Sequence, residues 1–247
     1  MEQFINIKLQ YITTIFPYSF IGEVINSYEN WNNKYVIGFI GMNSRIINDI
    51  IELQPINQVS ILPNDIKIDT KIIVNNLKPL ITSLLCDYLY LKTNENEIII
   101  IISPNWDILN KWTRHPFFKH QSFKNKSNKI ILRSIKCEEI NEDIMKITSG
   151  YGASAILILD GTIEAFSTNQ VTLHRQILLS TGIGGRIVWC NEIEQIDPCE
   201  CKCLYSKGIS LSFFNPKSIF NTNSYQGIIQ HSILLFLKHI NTLYLSN

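Results

Sequence analysis

The chain has 247 residues, of which 45% are hydrophobic and 17% charged, and its formal net charge is +1. This composition excludes a wholly disordered chain, which would carry fewer apolar residues and more net charge. The near-zero charge creates no overall field that would draw the chain to nucleic acid or to an acidic membrane surface.

Membrane and export signals are not found along the sequence. The longest apolar stretches, Ile98–Ser103 and Ile233–Leu237, are far shorter than the roughly 20 residues that cross a bilayer. The N-terminal residues Met1–Phe4 include an early acid and no basic segment, unlike a secretory signal. Six cysteines in such a chain are expected to be reduced thiols. We therefore expect no membrane contact and a cytoplasmic location, with the nucleus as the alternative.

The first half of the chain predicts strands followed by a helix. Residues 1–33 show no clear period and are left unassigned. Tyr35–Gly41 is a short apolar run with glycines, which predicts a buried strand entering a tight turn. Further strands are predicted over residues 46–53 and 58–62. From Val74 to Leu89 apolar residues recur every three or four positions, which predicts an amphipathic helix.

The middle of the chain alternates strands with helices. Ile98–Ile102 is aliphatic without alternation and is closed by Ser103-Pro104, which is typical of a central strand in a parallel sheet. The elements predicted after it are a helix over 106–118, a strand over 129–135, a helix over 138–148, and strands over 153–159 and 162–167. This alternation indicates an α/β domain with a largely parallel sheet.

The last third is richer in glycine and cysteine. Thr181–Arg186 is a glycine-dense loop and is predicted to open a helix that continues to Glu194. The polar, cysteine-rich stretch Asp197–Lys207 follows, and a helix is predicted over Ile228–Leu245. Cysteines 199, 201 and 203 occupy alternate positions, which on an extended segment would face opposite sides. A zinc site is therefore not predicted.

These elements, in this order, resemble the actin family. Ala153–Ile187 resembles that family's second phosphate hairpin, whose strand ends in Asp160-Gly161, together with the Gly-Arg loop at Gly185-Arg186. Phe214–Lys217 resembles the family's Phe-x-Pro-Ser segment. The resemblance covers residues 34–247. It implies an actin-like (ribonuclease H-like) α/β fold, in which a mostly parallel sheet is flanked by helices and the second lobe is much reduced.

The same resemblance implies a division of the chain and an eroded nucleotide site. Residues 1–33 form an unassigned segment, 34–180 the first lobe, and 181–247 the reduced second lobe. The first phosphate hairpin contains no acid, and the second lacks the family's Gly-Asp-Gly extension. No catalytic residue, metal or cofactor is therefore expected, and ATP with magnesium only if the eroded cleft still binds it. The vestigial nucleotide-binding residues would be Gly38, Gly41, Asp160, Gly161, Gly185 and Arg186.

The implied function is that of a non-catalytic actin-fold scaffold subunit, not an enzyme. Its partners would be other actin-family or complex subunits, either at the pointed end of dynactin or in a chromatin-remodelling complex. One alternative is a small ATP-binding enzyme of the actin-like ATPase superfamily, which would need an acid near Gly38–Gly41. Another is a fragment whose missing half lies in a second chain. The basic stretch Lys119–Lys129 favours a solvated loop over a nucleic-acid contact.

Overall fold

The computed structural model describes residues 5–14, 18–26, 31–40, 45–53, 59–66, 68–94, 97–102, 130–133, 140–159, 170–190 and 196–245. The chain divides into two compact units. The first unit joins Met1–Leu85 to Pro216–Asn247, and the second unit is the continuous segment Cys86–Asn215. These boundaries differ from the sequence-based division after residues 33 and 180. Within the described residues, no helix is long and apolar enough to span a membrane.

The described strands and helices are as follows. The strands are β1 Ile5–Ile12, β2 Tyr18–Asn26, β3 Tyr35–Ile40, β4 Arg45–Ile47, β5 Ile50–Leu53, β6 Val59–Ile61, β7 Ile99–Ile102, β8 Ile130–Arg133, β9 Ala153–Ile158, β10 Thr181–Trp189 and β11 Ser210–Phe213. The helices are α1 Thr70–Cys86, α2 Ile140–Ile147, α3 Gln170–Ser180, α4 Pro198–Lys207, α5 Pro216–Asn221 and α6 Gln226–Leu245. A π-helix covers Asp87–Leu91, and a 3₁₀ turn covers Asn223–Tyr225.

The first unit contains an antiparallel sheet with the strand order β4-β5-β1-β2-β3-β6. The strand predicted at Tyr35–Gly41 is confirmed as β3, and its Gly38 pairs with Phe20 on β2 and Val59 on β6. The predicted strand over 46–53 is interrupted by a turn at Asn48-Asp49, where both residues have positive φ. Asn and Asp adopt this conformation more readily than most residues. Phe39 and Phe220 meet edge to face at 4.6 Å in this unit.

The second unit contains a parallel sheet with the strand order β8-β7-β9-β10-β11. The aliphatic strand predicted at 98–102 is confirmed as β7, which lies between β8 and β9, with each isoleucine at most 1% exposed. One face of the sheet packs on α2 and α3, since Ile100, Ile156 and Ile187 share a buried cluster with residues of both helices. Burying such a side chain contributes about 1.5–3 kcal/mol.

The predicted actin-like fold with one mostly parallel sheet is wrong. The structure has a separate antiparallel sheet, and residues 1–33, left unassigned from the sequence, contribute β1 and β2 to it. The glycine-dense loop expected to open a helix is instead part of β10, where the register with β9 shifts between Thr181 and Arg186. The cysteine-rich stretch expected to be extended is the helix α4.

Candidate functional site

The parallel sheet of the second unit has a reversal in strand order between β7 and β9. From β7 the chain passes to β8 on one side, and the later strands lie on the other side of β7. Open parallel sheets bind ligands outside the carboxyl ends of their strands at such a reversal. At this position the Leu159 amide donates to the Ile102 carbonyl at 3.0 Å. The carboxyl edge beside Ile102 and Leu159 is the candidate site.

The neighbouring strand ends supply the rest of this edge. Arg133 is the last residue of β8, in register with Ile102. The Cys190 amide donates to the Ile158 carbonyl at 2.9 Å, and the Phe214 amide donates to the Trp189 carbonyl at 2.9 Å. Leu159, Cys190 and Phe214 are all buried. The described strand ends therefore offer a mostly apolar surface, with an arginine at the end of β8.

Two buried thiols meet beside this edge. The sulfur atoms of Cys86 and Cys190 lie 3.7 Å apart. Burial raises the pKa of the Cys86 thiol, and its hydrogen bond with Cys190 and the nearby charges of Cys190 and Asp87 raise it further. A neutral thiol is a poor nucleophile, because the thiolate is the reactive form. Cys86 is therefore not an activated nucleophile, and the two buried thiols pack beside this edge.

A polar cluster extends from the π-helix to the face of β10. Asp87 is buried, and its Oδ1 accepts hydrogen bonds from the Thr93 amide at 3.1 Å and the Thr93 hydroxyl at 2.7 Å. Burial raises the pKa of Asp87, although the Thr93 hydrogen bonds and the charge of Arg186 oppose the shift. Arg186 is itself paired with Glu97. This cluster orders the segment that leads into β7.

A second polar group lies on the opposite face of β10. The rings of His174 on α3 and Trp189 on β10 meet edge to face at 4.3 Å. His174 Nδ1 lies 3.8 Å from Glu200 Oε1 on α4. Burial lowers the pKa of His174, whereas the charges of Glu200 and Asp197 raise it. Oε2 of Glu200 accepts a hydrogen bond from the Asp197 amide at 2.9 Å, as in a capping box.

The residues predicted from the sequence to form a vestigial nucleotide site fall in different units or outside the described residues. Gly38 lies on β3 of the first unit, whereas Gly185 and Arg186 lie on β10 of the second. Gly41 and Asp160-Gly161 lie outside the described residues. A Cβ atom at Gly185 would overlap the Thr181 side chain, so sterics alone require this glycine. Nucleotide binding by these six residues stays a prediction.

Sequence reasoning missed the thiol pair, Asp87 and the His174–Glu200 pair. Cys86 and Cys190 are separated by 104 positions, and no spacing rule connects residues so far apart. A signal for Glu200 was present, because Asp197-Pro198 followed by Glu200 matches a helix start with a capping box.

Comparison with known proteins gives matches among solved structures alone. No family model matches the chain, and no curated protein does. A 2-haloacrylate reductase superposes with a TM-score of 0.70 at 10% identity, over 96% of this chain and 79% of the other. A quinone oxidoreductase from Pseudomonas syringae gives 0.66 at 13% identity, over 96% and 80%. A mycobacterial protein complexed with NADPH gives 0.64 at 13% identity, over 97% and 80%.

These likenesses establish the fold and correct several expectations. The chain shares the fold of these oxidoreductases, an antiparallel sheet plus a parallel, Rossmann-like sheet, so the resemblance to the actin family was wrong. The expected actin-fold scaffold in dynactin or a remodelling complex is wrong for the same reason, as is the alternative ATPase. The expectations of no enzyme and no cofactor are also contradicted, since the similar structures are reductases and one of them holds NADPH. The predicted partner subunits stay untested.

Sheets with this reversal of strand order bind dinucleotides outside the carboxyl ends of their strands, and the strand ends of this chain match that pattern only in part. Such sites place a glycine-rich turn directly after the first strand, so that the backbone can approach the pyrophosphate. Here β7 is followed by Ser103-Pro104-Asn105, and the sequence has no glycine between Gly41 and Gly150. The usual pyrophosphate turn is therefore absent from the sequence. By contrast, β8 ends in Arg133, and in sheets of this kind an arginine near the second strand can accommodate the 2′-phosphate of NADP.

Proposed function

We propose that the chain is an NADPH-dependent reductase of small substrates that carry an electron-poor double bond, such as a quinone or an unsaturated acid. The observation that carries the proposal is the shared two-sheet fold. It extends over 96–97% of this chain in a 2-haloacrylate reductase, a quinone oxidoreductase and a protein complexed with NADPH. We also propose a cytoplasmic location, in keeping with the free cysteines among the described residues.

The end of β8 supports NADPH over NADH. In this class of sheet an acidic residue near the second strand binds the ribose hydroxyl of NAD, whereas an arginine accommodates the extra phosphate of NADP. The sequence from the end of β8 is Arg133-Ser134-Ile135-Lys136. It carries two cations, and the acids Glu138 and Glu139 follow only after Cys137. Because the glycine turn is lacking, we expect the adenosine-phosphate end to contribute a larger share of the affinity than it does on a glycine turn.

Thermal unfolding of the purified full chain with NADPH, NADH or Mg-ATP tests the proposal. A ligand present at 100 times its Kd adds about 2.7 kcal/mol to the free energy of unfolding. We expect a clear rise in Tm with NADPH and a smaller one with NADH. If neither nicotinamide nucleotide raises the Tm, the proposed function is overturned. A shift with Mg-ATP alone would likewise overturn the proposed function.

Replacement of Arg133 tests the cofactor preference. In Arg133→Ser the NADPH affinity should fall by about 10- to 100-fold, because a charge-assisted hydrogen bond contributes roughly 1.5–3 kcal/mol. The NADH affinity should change little. The matched control is Arg175→Ser, at an exposed position on α3. An equal loss of affinity for NADPH and NADH would show that Arg133 does not bind the 2′-phosphate.

Turnover is measured separately, by the loss of NADPH absorbance with a benzoquinone or a 2-haloacrylate as the acceptor. Consumption of NADPH that depends on the acceptor is the expected result. NADPH binding without turnover on either acceptor would retain the cofactor and reject the proposed substrate class.

A further inference from the structure

Two free thiols are in contact inside the second unit. The sulfur atoms of Cys86 and Cys190 lie 3.7 Å apart, although the two residues are separated by 104 positions in the sequence. Neither side chain is more than 4% exposed. A disulfide bond is about 2.0 Å long, so a closer approach of less than about 2 Å would bring the two sulfur atoms to bonding distance.

The backbone on both sides of this contact is held by hydrogen bonds. Cys190 directly follows β10, and its amide donates to the Ile158 carbonyl at 2.9 Å. Cys86 is the last residue of α1 and directly precedes the π-helix. The Lys92 amide closes that π-helix by donating to the Asp87 carbonyl at 2.7 Å. Regular secondary structure therefore holds the two thiols side by side.

We propose that Cys86 and Cys190 form a reversible disulfide, by exchange with a small disulfide such as oxidised glutathione. One thiol of the pair loses its proton and attacks a sulfur of oxidised glutathione, which releases one glutathione thiolate. The other thiol, also as its thiolate, attacks the protein sulfur of this mixed disulfide and releases the second glutathione thiolate. The released thiolates take up the two protons. The protein pair is thereby oxidised by two electrons, and oxidised glutathione is reduced to two thiols.

The surrounding glutathione pool and the burial of the pair determine when this exchange occurs. In a reducing pool the pair stays a dithiol, and the disulfide forms when that pool becomes oxidised. Burial raises the pKa of the Cys86 thiol, and its hydrogen bond with Cys190 raises it further, so little thiolate is available in the folded state. We therefore expect the exchange to be slow in the folded chain and faster while the chain refolds.

The crosslink would close a loop that contains most of the parallel sheet. The segment between the two cysteines carries β7, β8, β9 and β10, and of the described strands of this sheet only β11 lies outside it. A disulfide stabilises a fold mainly because it restricts the unfolded chain, and the effect grows with the length of the closed loop. Cys190 also borders the candidate site, so oxidation would tie that edge to the segment that leads into β7. This inference does not depend on the proposed function.

The test is the equilibrium of the full-length chain with reduced and oxidised glutathione, measured in buffer and in concentrated urea. Cys86 and Cys190 are kept, and the other cysteines are removed by Cys137→Ala, Cys199→Ala, Cys201→Ala and Cys203→Ala. Peptide mass spectrometry quantifies the disulfide after the exchange is stopped with acid. By linkage, the fold favours the disulfide as strongly as the disulfide stabilises the fold. We expect its equilibrium constant to be about 100- to 1,000-fold higher in buffer than in urea.

A chain that keeps Cys86 and Cys199 as its only cysteines is the matched control. Cys199 is exposed on α4, whereas Cys86 is fully buried, so folding should not favour a disulfide between them. If the chain with Cys86 and Cys190 alone does not fold, the wild-type chain replaces it, with its accessible thiols alkylated in the folded state. An equilibrium constant for the Cys86–Cys190 disulfide that is no higher in buffer than in urea would overturn the inference.

Discussion

At the scale of single residues, Asp87 should make stability depend on pH. Its carboxyl is buried, and its pKa is raised above the ordinary 3.8. The folded state therefore binds this proton more tightly than the unfolded state does. The contribution to stability is fully present below pH 3.8 and is lost as the pH rises through the folded pKa.

Replacing Asp87 with asparagine tests the predicted direction of this pH dependence. The amide oxygen of Asp87→Asn can still accept both hydrogen bonds from Thr93, while the buried charge is removed. We expect a higher Tm than the wild type at pH 7 and a weaker fall in Tm between pH 4 and 7. The control, Glu142→Gln, is exposed on α2. A lower Tm for Asp87→Asn at pH 7 would contradict the prediction.

Two neighbouring glycines provide a matched steric comparison. Gly150 and Gly152 both have positive φ, of 85° and 79°. A Cβ atom at Gly150 would meet no atom within 4 Å, whereas one at Gly152 would lie 2.6 Å from the Gly182 nitrogen. Both alanine variants incur left-handed strain of roughly 1–2 kcal/mol. Gly152→Ala should lose about 1–3 kcal/mol more, from overpacking. Urea unfolding measures the difference, and equal losses would contradict the close approach.

At the scale of elements, Lys207 on α4 stabilises the carboxyl end of α3. Its Nζ donates to the carbonyls of Leu178, Leu179 and Thr181 at 3.2, 2.9 and 2.9 Å. Leu178 and Leu179 lie in the last turn of α3, and Thr181 directly follows that helix; a cation is favourable at a helix end of this kind. Lys207→Met should lower the free energy of unfolding by about 1–2 kcal/mol. Lys202→Met, at an exposed position on the same helix, should change it by less than about 0.5 kcal/mol, and similar losses for both variants would argue against the cap.

Individual elements were predictable where local chemistry determined them. The aliphatic run of β7 and the apolar stripe of α1 are both present close to their predicted positions. The strand β10 was missed because its glycines favour a turn. Those glycines instead allow close backbone contact, since the backbones of Gly182 and Gly152 approach each other within the second unit. The helix α4 was missed because cysteines are poor helix signals, although Asp197 and Pro198 marked its start.

At the scale of the whole molecule, the order of the strands could not be predicted. A strand, helix and glycine loop in succession occur in many α/β folds, so their order resembled the actin family without sharing its sheet. The pairing of β1 with β5 joins segments that are far apart in the sequence. The periodicity of hydrophobic residues identifies a strand but does not indicate which other strand it pairs with. The candidate site could not be predicted from the sequence for the same reason, because its position is defined by the reversal of strand order between β7 and β9.

The continuity of the second unit leads to a prediction for the isolated segment. Cys86–Asn215 is a single stretch of chain with its own buried cluster. Expressed alone, it should unfold cooperatively in urea and retain any NADPH affinity that depends on Arg133. A segment ending at residue 197, without α4 and β11, should not fold cooperatively, because β10 would lose the strand beside it and the helix α4 that contacts it. Failure of the 86–215 segment to fold would show that the first unit is required.

The interrupted first unit has a consequence for synthesis on the ribosome. Its six strands are translated first, but the helix that packs beside β6 is translated last. Phe39 therefore cannot pack against Phe220 until the entire second unit has been translated, at about 5–20 residues per second. During that interval the nascent antiparallel sheet carries apolar surface that its own helix will later cover. The nascent chain should accordingly depend on chaperones more strongly than a circular permutant in which 216–247 precede residue 1.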